Sequence, residues 1–420
     1  MINKPTNFNR SLTIVNVLSL IVFVFILTGC GSSKSKKAES IKSPEKSWVG
    51  TWSTAPQLVE PHNNPPEPGL SNNTIRQIVR VSIGGEDIRL RFSNEFSKSP
   101  VTLKTVQVAV STGGSTVDST TIKTLKFDNK EEVIMNPGEA ITSDAFSFDL
   151  KPRMDISITI YFGETSADVT GHPGSRTTSY ILTGNKTSST NFKDAIKTDH
   201  WYVINGIDVL VSNASAIAII GNSITDGRGS GTNKQNRWPD ILSERLLKNQ
   251  NTKNTGVLNM GIGGNAVLKG GLGPTALDRF QRDVLNQHGV KWLIILEGVN
   301  DLGGTPNAEA ANKVATGLIA AYEKMIDLAH AKNIKVYGAT ILPITKSFYY
   351  KDYREVARNT INDWIRNSGK FDAVIDFDKA MRDPNEPSTL LPDLHTGDYL
   401  HPNEAGYVMM GETVDLSLFE

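Results

Sequence analysis

The chain has 420 residues, which is enough for two or three domains. Its 44 Lys and Arg residues balance its 44 Asp and Glu residues, so the overall charge gives no indication of a nucleic-acid partner. Hydrophobic residues make up 38% of the chain and charged residues 21%, as is ordinary for a globular protein.

The first 29 residues have the pattern of a signal peptide. Lys4 and Arg10 precede an apolar stretch that ends in Leu27–Cys30, which resembles a bacterial lipobox. The resemblance implies cleavage before Cys30, lipid attachment to its sulfur and an extracytoplasmic location on a bacterial membrane. Residues 30–46 are small, polar and charged, and we expect a flexible tether. The alternative is a single transmembrane anchor, for which the apolar stretch is near the lower length limit.

Residues 47–212 form a β-rich N-terminal domain in this interpretation. The segment contains many short runs of Val, Ile, Thr and Phe, separated by Gly, Asn, Asp and Ser, with no helical stretch between them. This pattern predicts a β-sandwich-like domain. Its aromatic residues favour core packing, although a platform for sugars remains an alternative: Trp48, Trp52, Phe92 and Trp201.

From residue 213 to residue 420, aliphatic strands alternate with amphipathic helical stretches. The predicted strands are Ala216–Ile220, Gly256–Met260, Trp292–Leu296, Lys335–Ile341 and Ala373–Phe377. The pattern predicts an α/β domain with a parallel sheet covered by helices on both faces. The right-handed crossover rule makes a flavodoxin-like, doubly wound strand order the expectation.

Small polar residues follow three of these strands, and a fourth polar segment lies near the C-terminus. They read Gly221–Gly227 (GNSITDG), Asn259–Asn265 (NMGIGGN), Glu297–Asp301 (EGVND) and Asp398–Asn403 (DYLHPN). Because the carboxyl ends of parallel strands share one edge of a sheet, we expect these segments to converge there.

The converging residues can supply acyl-transfer chemistry. Ser223 needs a base to become a nucleophile, His401 can take its proton, and Asp398 can orient the imidazole. The backbone N–H groups of Ser223 and Gly264 and the side-chain amide of Asn300 are suitable donors for an oxyanion. No step of this chemistry requires a metal or a cofactor.

The four segments look like the signature blocks of the SGNH (GDSL) hydrolases, in the family's order. The resemblance covers residues 213–420, and it implies Ser223 as nucleophile, Asp398 and His401 as orienter and base, and Gly264 and Asn300 as oxyanion donors. It also implies an ester-hydrolysing enzyme with no cofactor. The first block departs from the family pattern, with Asn222 and Ile224 where the family has Asp and Leu.

Other polar residues near these blocks have weaker indications. We expect a structural role for Asp226, a cleft contact from Lys269, and a loop or cleft position for His395. A metal site within Asp393–His401 is a minor alternative, and Pro402 is expected in the first turn of a closing helix. The remaining histidines are expected at the surface or in packing: His62, His172, His200, His288 and His330.

The sequence therefore predicts an extracytoplasmic serine esterase that acts on short acyl esters, with acetyl groups on a polysaccharide as the expected substrate. A broad short-chain carboxylesterase or lysophospholipase would use the same residues. An inactive carbohydrate-binding surface lipoprotein is the alternative from another class.

Overall fold

The computed structural model describes residues 45–166 and 168–420. The expected signal peptide, Cys30 and most of the tether lie outside the described residues. No helix within the described ranges has the length and apolar character needed to cross a membrane.

The β-rich part contains three antiparallel sheets. Its strands are β1 (Ser47–Ser53), β2 (Gln57–Leu58), β3 (Asn73–Arg80), β4 (Gly85–Asn94), β5 (Val101–Gly113), β6 (Thr116–Val117), β7 (Lys123–Thr124), β8 (Val133–Met135), β9 (Glu139–Thr142), β10 (Phe146–Leu150), β11 (Asp155–Phe162), β12 (Thr170–His172), β13 (Ser179–Thr183), β14 (Ile196–Thr198), β15 (Trp201–Tyr202) and β16 (Ile204–Val211). Short 3₁₀ turns lie at Pro61–Asn63 and Ser119–Thr121.

Two large sheets of this part pack on one core, as expected for a sandwich. One has the order β1-β16-β4-β10 with β9 beside β4, and the other has the order β14-β13-β3-β11-β5-β6 with β7 and β8 paired to β5. Both contribute to a single apolar cluster, to which Trp52, Phe92 and Trp201 belong. These aromatic residues are therefore core residues. The strands β15, β12 and β2 form a separate small sheet, and Trp201 of β15 joins the same apolar cluster.

The second part contains a parallel sheet and its covering helices. The strands are β17 (Ser215–Gly221), β18 (Thr255–Gly261), β19 (Val290–Leu296), β20 (Lys335–Ala339) and β21 (Ala373–Ile375). The helices are α1 (Ser223–Asp226), α2 (Trp238–Lys248), α3 (Ala276–Phe280), α4 (Val299–Gly303), α5 (Ala308–His330), α6 (Asp352–Asn367), α7 (Phe377–Met381) and α8 (Glu404–Thr413). A π-helical turn at Gln281–Leu285 follows α3, and 3₁₀ turns lie at Pro392–Leu394 and Leu416–Phe419.

The strand order of this sheet is β18-β17-β19-β20-β21, with parallel pairing throughout. Counted along the chain this is 2-1-3-4-5, so the flavodoxin-like prediction is confirmed. Successive residues of β17 belong to different core clusters. Ile217 shares a cluster with Trp238 of α2, and Ala218 shares another with Leu318 of α5. Both faces of the strand are thus buried, which explains its continuous apolar run.

The two parts meet through β1. Val49 belongs to the same core cluster as Ala216 of β17 and Leu258 of β18, and the Gly50 N–H donates to the His288 carbonyl over 2.9 Å. From residue 45 onward the chain belongs to one compact unit. The strands up to β16 pair antiparallel and those from β17 onward pair parallel, so the change lies beside the predicted boundary at residues 212 and 213. The division into two domains stays a prediction.

Candidate active site

Ser223 lies at the start of a very short helix that follows the first parallel strand. β17 ends at Gly221, and the side chain of Asn222 accepts a hydrogen bond from the Ile224 N–H over 3.1 Å, which caps α1. The next two strands, β18 and β19, pair with opposite edges of β17. Ser223 therefore lies at the topological switch point, where open α/β sheets bind ligands.

The three residues of the expected triad are hydrogen-bonded in sequence. Ser223 Oγ is 2.9 Å from His401 Nε2, and His401 Nδ1 is 2.6 Å from Asp398 Oδ2. The other carboxylate oxygen of Asp398 accepts the backbone N–H groups of Leu400 and His401. Because the carboxylate of Asp398 accepts from Nδ1, the Nε2 atom of His401 is left as the acceptor for the serine proton.

Burial and charge give the base and its partner different pKa values. Burial lowers the pKa of His401 below its ordinary value, against the opposing effect of Asp398, and the positive charges of Arg228 and Arg176 lower it further. Burial alone would raise the pKa of Asp398, but the hydrogen bonds from His401 and Leu400 outweigh it and lower that pKa to about 2. At neutral pH the site therefore holds a neutral imidazole beside a carboxylate.

Backbone donors lie beside the nucleophile. The N–H groups of Ser223 and Gly264 donate to no other group among the described residues, and both residues line the same cleft. Gly264 has a φ of 71°, a left-handed conformation that glycine adopts without strain. The neighbouring Gly261 is a poorer donor, since its N–H already binds Asn259 Oδ1.

The side chain of Asn300 is held in one orientation. Its Nδ2 donates to the Asn265 carbonyl over 2.7 Å, and its Oδ1 accepts from the Tyr349 hydroxyl over 2.8 Å. Because the carbonyl oxygen of Asn265 can only accept a hydrogen bond, the amide nitrogen of Asn300 must face Asn265. The second N–H of Asn300 is then free to bind an oxyanion. The next residue, Asp301, accepts the N–H groups of Val267 and Leu268 and so holds the adjoining loop.

The cleft around Ser223 has a volume of about 440 Å³ and is lined from both parts of the chain. The parallel-sheet part contributes Ser223, Asp226, Arg228, Gly263, Gly264, Leu272, Asn300, Phe348, Tyr349, Leu400 and His401. The β-rich part contributes Gln57, Glu60, His62, Asn63, Pro173, Gly174, Arg176 and His200. No motif in the β-rich sequence indicated this contribution.

A buried His–Asp pair joins the β-rich part to the nucleophile helix. His172 Nε2 is 2.8 Å from Asp226 Oδ1, and His172 Nδ1 is 2.9 Å from the Ala55 carbonyl. Asp226 ends α1, three residues after Ser223, and both partners are almost fully buried. Since the carbonyl of Ala55 only accepts, Nδ1 carries a proton, and a second proton must lie between Nε2 and the carboxyl group.

Two of the weaker expectations are wrong. Lys269 is exposed and does not line the cleft, where Leu272 of the same segment does. Pro402 precedes the helix instead of lying in its first turn, because Asn403 caps α8.

The histidines without a motif lie at the surface or in packing, and two of them also line the cleft. His62 is exposed and His200 is half-buried there. His172 is buried against Trp201 and is hydrogen-bonded to Asp226.

His395 occupies a loop. Its Nδ1 accepts the N–H groups of Gly397 and Tyr399, so it shapes the turn that leads to Asp398. Among the described residues no cluster of three His, Cys, Asp or Glu side chains has the arrangement of a metal site.

The model of the GDSL-like lipase/acylhydrolase family matches residues 219–409, a range that contains all four polar segments. These residues belong to the GDSL-like lipase/acylhydrolase family. Residues 219–409 therefore form a GDSL-like hydrolase domain, as the four blocks predicted.

Solved structures similar to the GDSL part share low identity with it. One is a putative G-D-S-L lipolytic protein from Desulfitobacterium hafniense, with 21% identity, a TM-score of 0.36, and coverage of 47% of this chain and 97% of its own. Another is a catalytic mutant of an acetylxylan esterase from Geobacillus stearothermophilus, with 18% identity, a TM-score of 0.37, and coverage of 48% and 93%. No curated protein matches the chain.

Proposed function

We propose that the GDSL hydrolase is a serine esterase that removes short acyl groups, acetyl first among them, from carbohydrate. The observation that carries the proposal is the hydrogen-bonded series from Ser223 through His401 to Asp398, placed beside free oxyanion donors in an open cleft.

The mechanism follows from this geometry. His401 Nε2 takes the proton of Ser223 as Oγ attacks the ester carbonyl, and the Asp398 carboxylate stabilises the imidazolium that forms. The proton then passes to the leaving alcohol, and an acyl-enzyme remains on Ser223. Water, deprotonated by the same histidine, attacks this intermediate and releases the acid.

Three donors would hold the negative charge of each tetrahedral intermediate. These are the N–H groups of Ser223 and Gly264 and the second N–H of Asn300. Removal of one such donor typically costs about 3–4 kcal/mol of transition-state stabilisation. Asn300 is held by Asn265 and Tyr349 before substrate binds, so little reorganisation is needed during the reaction.

The surroundings of the nucleophile favour a sugar ester over a long acyl chain. Most side chains that the β-rich part places in the cleft are polar, including Gln57, Asn63 and Arg176. Phe348 is 68% exposed at the cleft and packs on Tyr349, so it offers an aromatic face to a sugar ring.

The test uses the full chain purified in detergent. Acetate release from an acetylated polysaccharide is measured together with hydrolysis of synthetic esters of increasing chain length. We expect the shortest ester to be preferred, and Ser223→Ala to lose about 10³-fold or more in kcat. Ser230→Ala, a nearby serine outside the cleft, is the matched control.

Each other outcome contradicts a different part of the proposal. Cleavage of only long esters or lysolipids would retain the triad and overturn the carbohydrate assignment. Equal inactivity of the wild type and Ser223→Ala would favour a binding protein.

We also propose that Cys30 carries a lipid that anchors the enzyme outside the cytoplasm. The support is the lipobox-like Leu27–Cys30 behind an apolar stretch. The wild type should be labelled by a fatty-acid analogue, and Cys30→Ala should abolish the labelling. An unlabelled wild type that stays in the membrane fraction would favour the uncleaved anchor.

A further inference from the structure

An arginine from the β-rich part lies in the cleft with the nucleophile. Arg176 follows β12 in the segment that leads to β13, and it lines the cleft together with Ser223 and His401. Its φ of 50° is left-handed, a conformation uncommon for residues other than glycine. The Asn233 N–H donates to the Arg176 carbonyl over 2.9 Å, which ties this backbone to the GDSL part.

The guanidinium of Arg176 has no partner in the part of the chain that the structure describes. It makes no hydrogen bond and no ion pair there, and its Nε atom is buried. Other buried arginines are well bonded: Arg279 binds Asp283 and three oxygens besides, and Arg358 binds Glu355, Asp378 and the Ile341 carbonyl. A partly buried cation without a partner is costly, so this position calls for an anion that the protein itself does not provide.

Neither carboxylate of the cleft pairs with Arg176. Glu60 accepts from Gln57 and Asn63, and Asp226 Oδ1 is hydrogen-bonded to His172. Arg228, exposed after α1, adds a second positive charge that makes no ion pair with any described residue. The cleft therefore contains two arginines without an ion-pair partner among the described residues, close to the triad.

We propose that Arg176, assisted by Arg228, binds a carboxylate on the alcohol part of the substrate, so that the preferred substrate is an acyl ester of an acidic sugar. The inference rests on the proposed function, because a short acyl group leaves the sugar as the part that can carry the charge. The two Nη groups of Arg176, which unlike Nε are not buried and bond to no described residue, form two parallel donors, a geometry that matches the two oxygens of a carboxylate.

The test compares two substrates that differ in one group. C6 is a carboxylate in monoacetylated methyl glucuronoside and a hydroxymethyl group in monoacetylated methyl glucoside. The readout is the ratio of their kcat/KM values, measured with the full chain in detergent. The ratio is insensitive to effects on His401, since both substrates depend on the same base.

We expect the wild type to prefer the acidic ester. Arg176→Gln should lower the ratio by about tenfold or more, mainly through KM, as expected when a charge-assisted hydrogen bond is lost. Arg176→Lys should give an intermediate ratio, because it keeps the charge and loses the fork. Arg382→Gln, a change at a half-buried arginine outside the cleft, is the control and should keep the wild-type ratio.

A wild-type ratio near one, or a ratio that Arg176→Gln does not change, would overturn the inference. If 4-nitrophenyl acetate is cleaved despite either of these results, the esterase proposal stands without the acidic-sugar inference. If no ester is cleaved, the proposed function fails, and calorimetric binding of methyl glucuronoside and methyl glucoside still tests Arg176 by itself. A further outcome is that the enzyme prefers lysophosphatidic acid to the matching monoacylglycerol, loses this preference in Arg176→Gln, and shows no preference between the two sugar esters. That result would identify a lipid phosphate as the anion and overturn the sugar-acid assignment.

Discussion

As the proposed base, His401 would control the response of the hydrolase to pH. Burial lowers its pKa, and the charges of Arg228 and Arg176 add to this effect. Only the neutral imidazole can take the proton of Ser223, so activity is lost as the pH falls through this pKa. The low pKa of Asp398, about 2, keeps its carboxylate charged across the whole working range.

We therefore predict that kcat/KM rises with pH and reaches half its maximum below pH 6.5, the ordinary value for histidine. A pH–rate profile with a soluble acetyl ester from about pH 4 to about pH 9 measures this. Arg228→Gln removes a charge that lowers the pKa of His401, so the acidic limb should move to higher pH. A limb above pH 6.5 in the wild type would contradict the burial argument.

In the proposed mechanism Asp398 holds His401 in the correct tautomer. Asp398→Asn keeps the shape of the side chain but can donate to Nδ1, which would turn the proton of the ring towards Ser223. We expect kcat to fall by about 10⁴-fold, as it does for this change in a serine protease. Asp393→Asn, an exposed aspartate in the same segment, is the control and should behave as the wild type. Similar losses of kcat in the two variants would indicate that any change in this segment disturbs the site, and would contradict a specific role for Asp398.

At the scale of elements, α1 depends on the segment that follows β12. A Cβ atom at Gly174 would lie 1.9 Å from Asp226 Oδ2, so a glycine permits the segment to approach the end of α1. His172, two residues earlier, bonds to the same Asp226. The β-rich part thus helps to fix the helix on which Ser223 lies.

We predict that His172→Leu lowers the free energy of unfolding by about 1–3 kcal/mol, because Asp226 would be left buried without its partner. Chemical denaturation measures the change. The matched control is His330→Leu at the exposed His330–Asp372 pair, where the loss should stay below about 1 kcal/mol. Adding Asp226→Asn to His172→Leu should recover part of the lost free energy of unfolding. Equal losses at the buried and exposed pairs would refute a stabilising role for the His172–Asp226 pair.

At the scale of the whole molecule, the two parts share both a core and a cleft. Val49 packs in one cluster with Leu258, and Arg91 Nη2 is 2.6 Å from Gln287 Oε1. We predict a single cooperative unfolding transition for the described residues, with equal calorimetric and van't Hoff enthalpies. Two separate calorimetric transitions, or an isolated fragment 213–420 with full stability and activity, would contradict this coupling.

Much of the GDSL part could be predicted because its signals are local. The unbroken apolar run of β17 required burial on both faces, and the polar residues after three of the parallel strands had to meet at one edge. Ser223 lies in such a segment and Asp398 and His401 lie in the polar segment near the C-terminus, and the structure brings all three together. The closing helix begins after Pro402 and not with it, because the side chain of Asn403 caps α8.

The sequence by itself determined the strand order of the parallel sheet and the residues that meet at its edge, since periodicity and strand ends are properties of short segments. Only the tertiary structure decided that His172 and Arg176 lie beside Ser223. His172 ends a short antiparallel strand and Arg176 follows it, and the hydrogen bond from His172 to Asp226 of the nucleophile helix joins residues 54 positions apart. No local pattern encodes a contact at that separation, because it depends on how two sheets pack across a shared core.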